Sequence, residues 1–335
     1  MSTLWPRIEP LLAKVQKPAR YIGCEDGATT PRHTDDGDAV AWLLAYPDTY
    51  EIGLPNQGLQ ILYEILNERD DAVAERTYAP WTDLLVEMRA ADVPLFSVDT
   101  HRSAAEFDVL AFNLSSELVY TNVLEMIDLA GAPIHAADRG DDDLIVIVGG
   151  HAAFNPEPLA DFIDAAVLGE GEEVVSEITE VLAEWKRSGR TDRASMLHCL
   201  SQVPGVYVPS MYEVTYHEPT DDDPIGTIAA VTPRFADVPE TVDKRTVADL
   251  GEWPYPKSPL VPLTEVVHDR LSVEVFRGCT RGCRFCQAGM ITRPVRERPP
   301  SRSARWSTRA SGAPVADEVS LTSPAPPTSP TSSPW

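Results

Sequence analysis

From residue 39 onward, short apolar runs alternate with segments whose apolar residues recur every three or four positions. The runs 39–53, 73–79, 94–100, 108–115 and 143–150 are rich in aliphatic residues and read as strands, the first of them ending in a loop. Between them, 57–67 places Leu59, Leu62, Ile65 and Leu66 at helical spacing. The segment 80–94 opens on Pro80 with Leu84, Leu85 and Met88 on one face, and 117–129 is closed by Gly131; both read as helices. Residues 156–163, 164–172 and 172–189 complete the series as helix, strand and helix, the last two sharing Glu172. Strands alternating with helices of about ten residues predict an α/β fold, a Rossmann-like parallel sheet with helices on both faces. Ligands of such sheets bind beyond the carboxyl ends of the strands.

The pattern then changes. Residues 189–270 read as a bridge, with a short helix, an extended segment and a hairpin formed by 212–218 and 227–233 around an acidic turn. Residues 271–276 (LSVEVF) are a further strand. Residues 1–38 are a polar, turn-rich lead-in after a helix-like start. The expected organisation is therefore a lead-in over 1–38, an α/β domain over 39–188, the bridge over 189–270, a new unit over 271–299 and a tail over 300–335. That tail is crowded with Ser, Pro, Ala and Arg and holds only Val315, Val319 and Leu321 as aliphatic anchors, so it is expected to be disordered.

Composition narrows the function classes. The 335 residues are 43% hydrophobic, enough for a core. Net charge is −24, and the first 300 residues carry 25 basic side chains against 50 acidic ones. Such a surface repels phosphate backbones, which argues against direct nucleic-acid binding. No run of 18 apolar residues and no signal-peptide pattern occurs, so no membrane association and a cytoplasmic location are expected.

Chemistry concentrates in 277–290, RGCTRGCRFCQAGM. Cys279, Cys283 and Cys286 lie in C-x-x-x-C-x-x-C spacing on the loop leaving a strand, and Phe285 precedes the third. Thiolates suit iron–sulfur clusters or zinc. A closed zinc site takes four ligands, and His268, on the far side of the strand, is the nearest other candidate. Three thiolates on a four-iron cluster leave one iron open for a substrate or cosubstrate. Cys24 and Cys199 stand alone, and few clustered cysteines fit a reducing compartment.

This spacing after a first strand, with the aromatic before the last Cys, resembles the cluster signature of radical S-adenosylmethionine (radical SAM) enzymes. The longer run 265–298 resembles the start of that core in a subgroup with an N-terminal cobalamin-binding-like domain. The resemblance implies a 4Fe-4S cluster on Cys279, Cys283 and Cys286, with S-adenosylmethionine chelating the fourth iron. It implies reductive cleavage to a 5′-deoxyadenosyl radical, an electron donor such as ferredoxin or flavodoxin, and an unknown substrate. It also implies a partial TIM-type barrel of about six βα units, of which 271–299 supplies the first. Arg277, Arg281 and Arg284 flank the cysteines and are expected at the surface.

At the carboxyl ends of the predicted strands stand Asp48, Tyr50 and Gly53, then Ser116 and Leu118, then Gly149 and Gly150. The order resembles the D-x-H-x-x-G, S-x-L and GG pattern of cobalamin-binding domains. There the His ligates cobalt from below, the Ser contacts the nucleotide tail and the glycines let that tail approach the backbone. Tyr50 stands at the His position, so the lower cobalt site is expected to be empty or held by water. Two readings of the domain follow: corrinoid binding, with methyl transfer as its consequence, or a Rossmann-like domain retained for packing. No G-x-G-x-x-G follows the first strand, which disfavours a nicotinamide site. His151 reads as a strand-end turn residue, with a ligand or base as the alternative, and Glu170 and Glu172 either meet a polar ligand group or begin a helix. The island 317–323 (DEVSLTS) resembles the core's second strand within a tail otherwise unlike it. The expectation is a reading-frame shift near Pro300, a return around Asp317 and a second departure after Ser323; a natural disordered tail is the alternative. A truncated, inactive fragment or a non-catalytic corrinoid-binding module are the corresponding alternatives for function.

Overall fold

The computed structural model describes residues 3–28, 38–221, 224–256, 258, 260–268, 271–299 and 319–322. The chain opens with α1 (Trp5–Leu12). The first apolar run becomes β1 (Val40–Tyr46), buried at all seven positions, as expected of a strand covered on both faces. A one-turn helix, α2 (Tyr50–Gly53), replaces the loop expected after it. Asn56 then caps α3 (Gln57–Glu68), its Oδ1 accepting from Leu59 N at 2.9 Å. β2 (Ala72–Tyr78), α4 (Thr82–Ala90), β3 (Val109–Asn113), α5 (Tyr120–Leu129), β4 (Ile145–Gly149) and β5 (Ala165–Val167) follow, and α6 (Gly171–Arg187) closes the predicted series.

Two expected elements are absent. Residues 94–100 form no strand. Thr77 Oγ1 donates to Phe96 O and Val98 N donates to Arg76 O, but the chain turns away when Asp99 folds back on Arg76. Residues 156–163 form only a short 3-10 turn, Glu157–Leu159.

The sheet extends further than the sequence pattern suggests. After α7 (Arg193–Ser201), β6 (Val206–Tyr207) pairs antiparallel with β5. The order is β2-β1-β3-β4-β5-β6, and the first five strands are mutually parallel. The order reverses between β1 and β3, the place where doubly wound sheets open a crevice. α3 and α6 pack together on one face. Right-handed crossovers put α4 and α5 on the other, where Arg89 of α4 pairs with Asp128 of α5 at 2.8 Å.

The expected hairpin forms from β7 (Tyr212–Tyr216) and β8 (Ile228–Pro233). The bridge then returns to the sheet: Val261 N donates to Asp26 O, Leu263 N to the Tyr50 hydroxyl and Val267 N to Glu51 O. β9 (Leu271–Glu274) leads into β10 (Phe276–Arg277), the cysteine loop, α8 (Ala288–Ile291) and β11 (Arg296–Glu297), which pairs antiparallel with β10. β12 (Val319–Thr322), inside the expected strand island, pairs in parallel with β9, as the first two strands of a βα barrel do. The rest of the predicted tail, 300–318 and 323–335, lies outside the described residues.

Candidate functional site

At the switch point the sheet, α3 and α6 enclose a cavity of about 580 Å³. The period of two along β1 aims Trp42, Leu44 and Tyr46 at it. Leu62 from α3 and Ile178 from α6 form the opposite wall. Polar groups gather at the strand ends. Asn113 at the end of β3 donates to the Asn56 cap oxygen at 3.3 Å, and Tyr46 donates to Ser115 Oγ at 3.0 Å. The cavity continues to Glu274 and Arg277, so one space joins the sheet to the start of the cysteine loop.

The residues predicted at the strand ends divide. Gly149 and Gly150 line the cavity. A Cβ on Gly149 would meet only Val167 Cβ, at 3.8 Å, so that backbone faces open space. Gly150 is fixed as glycine by φ +96°, and a Cβ there would lie 2.6 Å from Leu114 O. Asp48, Tyr50 and Gly53 sit to one side. Asp48 accepts from Thr49 N. Tyr50 is 1% exposed, lies edge-on to Tyr78 at 5.4 Å and accepts from Leu263 N at 3.2 Å. Burial first, then the negative charge of Glu25, pushes its phenol pKa up, so it stays protonated. Gly53 packs on the Tyr78 ring. Ser116 is half-buried beyond the cavity and Leu118 is 89% exposed; the neighbouring Ser115 is the serine in the lining.

The lining tests whether a corrinoid tail fits. Trp42 Nε1 is buried and has no acceptor among the described residues. Ligand pockets combine apolar walls with polar groups that fix orientation; at the strand ends these include Trp42, Asn56, Asn113 and Ser115, beside the bare backbone of Gly149, and charged groups such as Glu274 and Arg277 lie toward the cysteine loop. This donor set suits a flat, partly polar heterocycle. It offers no cobalt ligand at position 50, because Tyr50 does not line the cavity. His151 does line it, and burial lowers its pKa below the ordinary 6.5, so the imidazole is neutral at pH 7.

The cysteine loop is tethered from below. Cys279 and Cys286 are half-buried and Cys283 is exposed; all three are free thiols. A Cβ on Gly289 would lie 3.5 Å from Cys286 Sγ and 3.8 Å from Cys279 Sγ, so these two sulfurs flank one point on α8. Arg281 N donates to Cys279 Sγ and Gly289 N to Cys286 Sγ, each at 3.4 Å. The Arg293 guanidinium clamps the loop, donating to Cys279 O at 3.1 Å and Arg281 O at 2.8 Å. Among the described residues no three His, Cys, Asp or Glu side chains stand close enough together to hold a metal. Two thiols therefore sit beside one point on α8, and the exposed Cys283 does not join them in a three-ligand group. His268 lies in the cavity wall. Cys24 and Cys199 are exposed and distant in sequence from the loop.

Arg281 and Arg284 are exposed as expected, but Arg277 is buried. Its guanidinium meets Glu172 at 2.7 Å, Glu274 at 2.9 Å and Glu170 at 3.4 Å. Burial opposes its charge, and the carboxylates of Glu172 and Glu274 more than offset that, leaving its pKa raised. Glu170, the residue before α6, also holds Arg296 and accepts from Val247 N at 2.6 Å. Burial alone would raise its pKa; Arg296 and Arg277 instead hold it below the usual carboxylate range. The two glutamates thus begin the helix, and the partners of their carboxylates are arginines of this chain.

Residues 58–209 match the family model described as "Radical SAM proteins, N-terminal". Two solved structures of the radical S-adenosylmethionine methyltransferase TsrM from Kitasatospora setae are similar in shape. The form with cobalamin and a [4Fe-4S] cluster bound gives a TM-score of 0.48 at 15% identity, over 85% of this chain and 49% of that one. The form with tryptophan substrate and a SAM analogue gives 0.46 at 15%, over 85% and 48%. This chain thus spans about half the length of those structures. No curated protein matches it.

Proposed function

We propose that residues 39–207 form a corrinoid-binding module, related to the N-terminal part of radical SAM proteins, and that it takes the ligand's nucleotide tail into the cavity between α3, α6 and the sheet. The observation that carries this is the cavity at the switch point, with Trp42 Nε1, which has no acceptor among the described residues, and the open backbone of Gly149 on its wall. In this reading Trp42 donates to the tail, Asn113 and Ser115 orient it, and the aliphatic walls exclude water. Tyr50 stays out of the metal's reach. Equilibrium ultrafiltration of the full chain with aquacobalamin tests it. Retention of about one corrinoid per chain, with a spectrum lacking an imidazole or phenolate ligand, is expected; no retention at 100 μM, on the order of the weakest useful affinity, refutes it.

A second reading concerns 271–299. Cys279 and Cys286 flank one point of α8 and Arg293 clamps the loop between them, which supports a cluster held on these two thiolates; Cys283 would have to join them as third ligand when the cluster binds. A bound four-iron cluster would supply the electron that cleaves the sulfonium bond of S-adenosylmethionine. Anaerobic reconstitution should give a brown protein with about four irons per chain, lost when the three cysteines become Ala. A colourless protein with one tetrahedral zinc would replace this reading. Radical chemistry on an unidentified cytoplasmic substrate, fed by ferredoxin or flavodoxin, is the wider activity proposed.

A further inference from the structure

The seam between the α/β sheet and the cysteine loop is made of buried charge. Three carboxylates, Glu170 and Glu172 at the start of α6 and Glu274 at the end of β9, face three guanidiniums, Arg277, Arg296 and Arg298. Arg277 touches all three carboxylates, whereas Arg296 holds Glu170 and Arg298 holds Glu274. The backbones on either side are tied in as well. Arg296 donates to Val247 O at 2.6 Å, Arg298 donates to Leu250 O, and Lys244 Nζ donates to Ile291 O at 2.8 Å.

Beyond Arg277 the chain has no slack. Gly278 has φ +102°, and a Cβ there would lie 2.5 Å from Pro294 O and 2.9 Å from Thr292 O. Cys279 comes next, with its carbonyl already held by Arg293. The orientation of the Arg277 side chain therefore fixes where the first thiol stands. A buried ion network adds little net stability over a well-packed apolar seam, because desolvation offsets the attraction. What it supplies is direction: a planar guanidinium meeting carboxylates on three sides fixes both position and rotation, which an ammonium cannot do.

We infer that Arg277 is a positioning residue, anchored on Glu170 and Glu172, that sets the cysteine loop against the sheet. Because Arg277, Glu170 and Glu172 also line the cavity, the same fork is the wall shared by the ligand space and the thiols. The backbone and alkylation readouts below are independent of any cofactor; only the last one rests on the cluster reading.

The test uses the full chain, reduced and anaerobic, as wild type, Arg277→Lys and Glu172→Gln. Hydrogen exchange is followed over 278–292 and over β1, β3 and β4, and N-ethylmaleimide alkylation is resolved by mass spectrometry at each cysteine. Exposed Cys283 serves as internal reference. Arg277→Lys should speed exchange over 278–292 at least tenfold, bring Cys279 alkylation to the Cys283 rate and leave the strands protected. Glu172→Gln should do the same to a smaller extent. Unchanged loop exchange and unchanged selectivity in Arg277→Lys overturn the proposal. So does loss of strand protection in both variants, which would make the network a stability element of the whole fold. If only Arg277→Lys unfolds, Glu172→Gln decides by the same criteria. After reconstitution, altered electron paramagnetic resonance of the reduced cluster in either variant adds a spectroscopic signature. A wild type that takes up no iron refutes the cluster reading and leaves the exchange result standing.

Discussion

Replacing Gly149 by Val separates the cavity from the sheet that carries it. Gly149 ends β4, pairs with Asn113 of β3 and faces the cavity; an added Cβ meets only Val167, at an ordinary 3.8 Å. Glycine within a strand is less stable than a side-chain-bearing residue by about 0.5–1 kcal/mol, so Gly149→Val should hold or slightly raise the urea midpoint. The same methyl groups project into space that a bound tail would use. Overpacking a filled site costs about 1–3 kcal/mol, which corresponds to a roughly 5- to 150-fold weaker aquacobalamin affinity. Urea titration by circular dichroism and absorbance-monitored ultrafiltration measure the two quantities on one sample. A variant as stable as wild type that binds equally well would show that the ligand does not lie against β4. A variant that loses more than about 1 kcal/mol of stability would show that the wall is packed rather than open.

Arg76 is fully buried with Glu25 at 2.9 Å and Asp99 at 2.6 Å; Arg76→Met strands two buried carboxylates and should lower stability by about 3–5 kcal/mol at pH 7. Adding Glu25→Gln and Asp99→Asn should restore most of it in urea titrations, and no restoration would refute the pairing. His151 has a folded-state pKa below its ordinary 6.5 because burial disfavours the cation. The unfolded chain then binds the extra proton first, so this contribution to stability is full above pH 6.5 and declines as pH falls through the folded pKa. His151→Gln should flatten the stability profile on the acid side of 6.5; a profile parallel to wild type counts against burial as the cause. Tyr50→Phe removes the acceptor for Leu263 N and should cost about 0.5–1.5 kcal/mol in the urea midpoint while leaving the bound-corrinoid spectrum unchanged. A shifted spectrum would mean that the phenol reaches the metal.

Periodicity exposes what repeats and conceals what depends on pairing across distance. β1 and α3 are legible because their apolar residues must face a core at periods of 2 and 3.6. The segment 94–100 has the same apolar texture, yet it is diverted by Asp99, whose partner Arg76 lies 23 residues earlier. β6 escapes notice because two residues carry no period, and only its pairing with β5 makes it part of the sheet. The candidate site follows the same division. Gly149 and Gly150 are visible as a doublet ending an apolar run, and the cysteines as a spacing. Nothing in the pattern singles out Trp42, because a strand residue facing a cavity has the same pattern as one facing a helix; its buried Nε1, without an acceptor among the described residues, is what distinguishes it. Arg277 is read as exposed because arginine beside a glycine-rich loop usually is. Its three carboxylates come from positions 170, 172 and 274, and the first two lie more than a hundred residues before it in the chain. The signal was nevertheless present in halves. Acids before a helix at Glu170 and Glu172, and a base before the cysteines at Arg277, are each ordinary alone. The sheet places the acids beyond the carboxyl end of β5, β10 carries the base to them, and there they become the seam on which the placement of the first thiol depends.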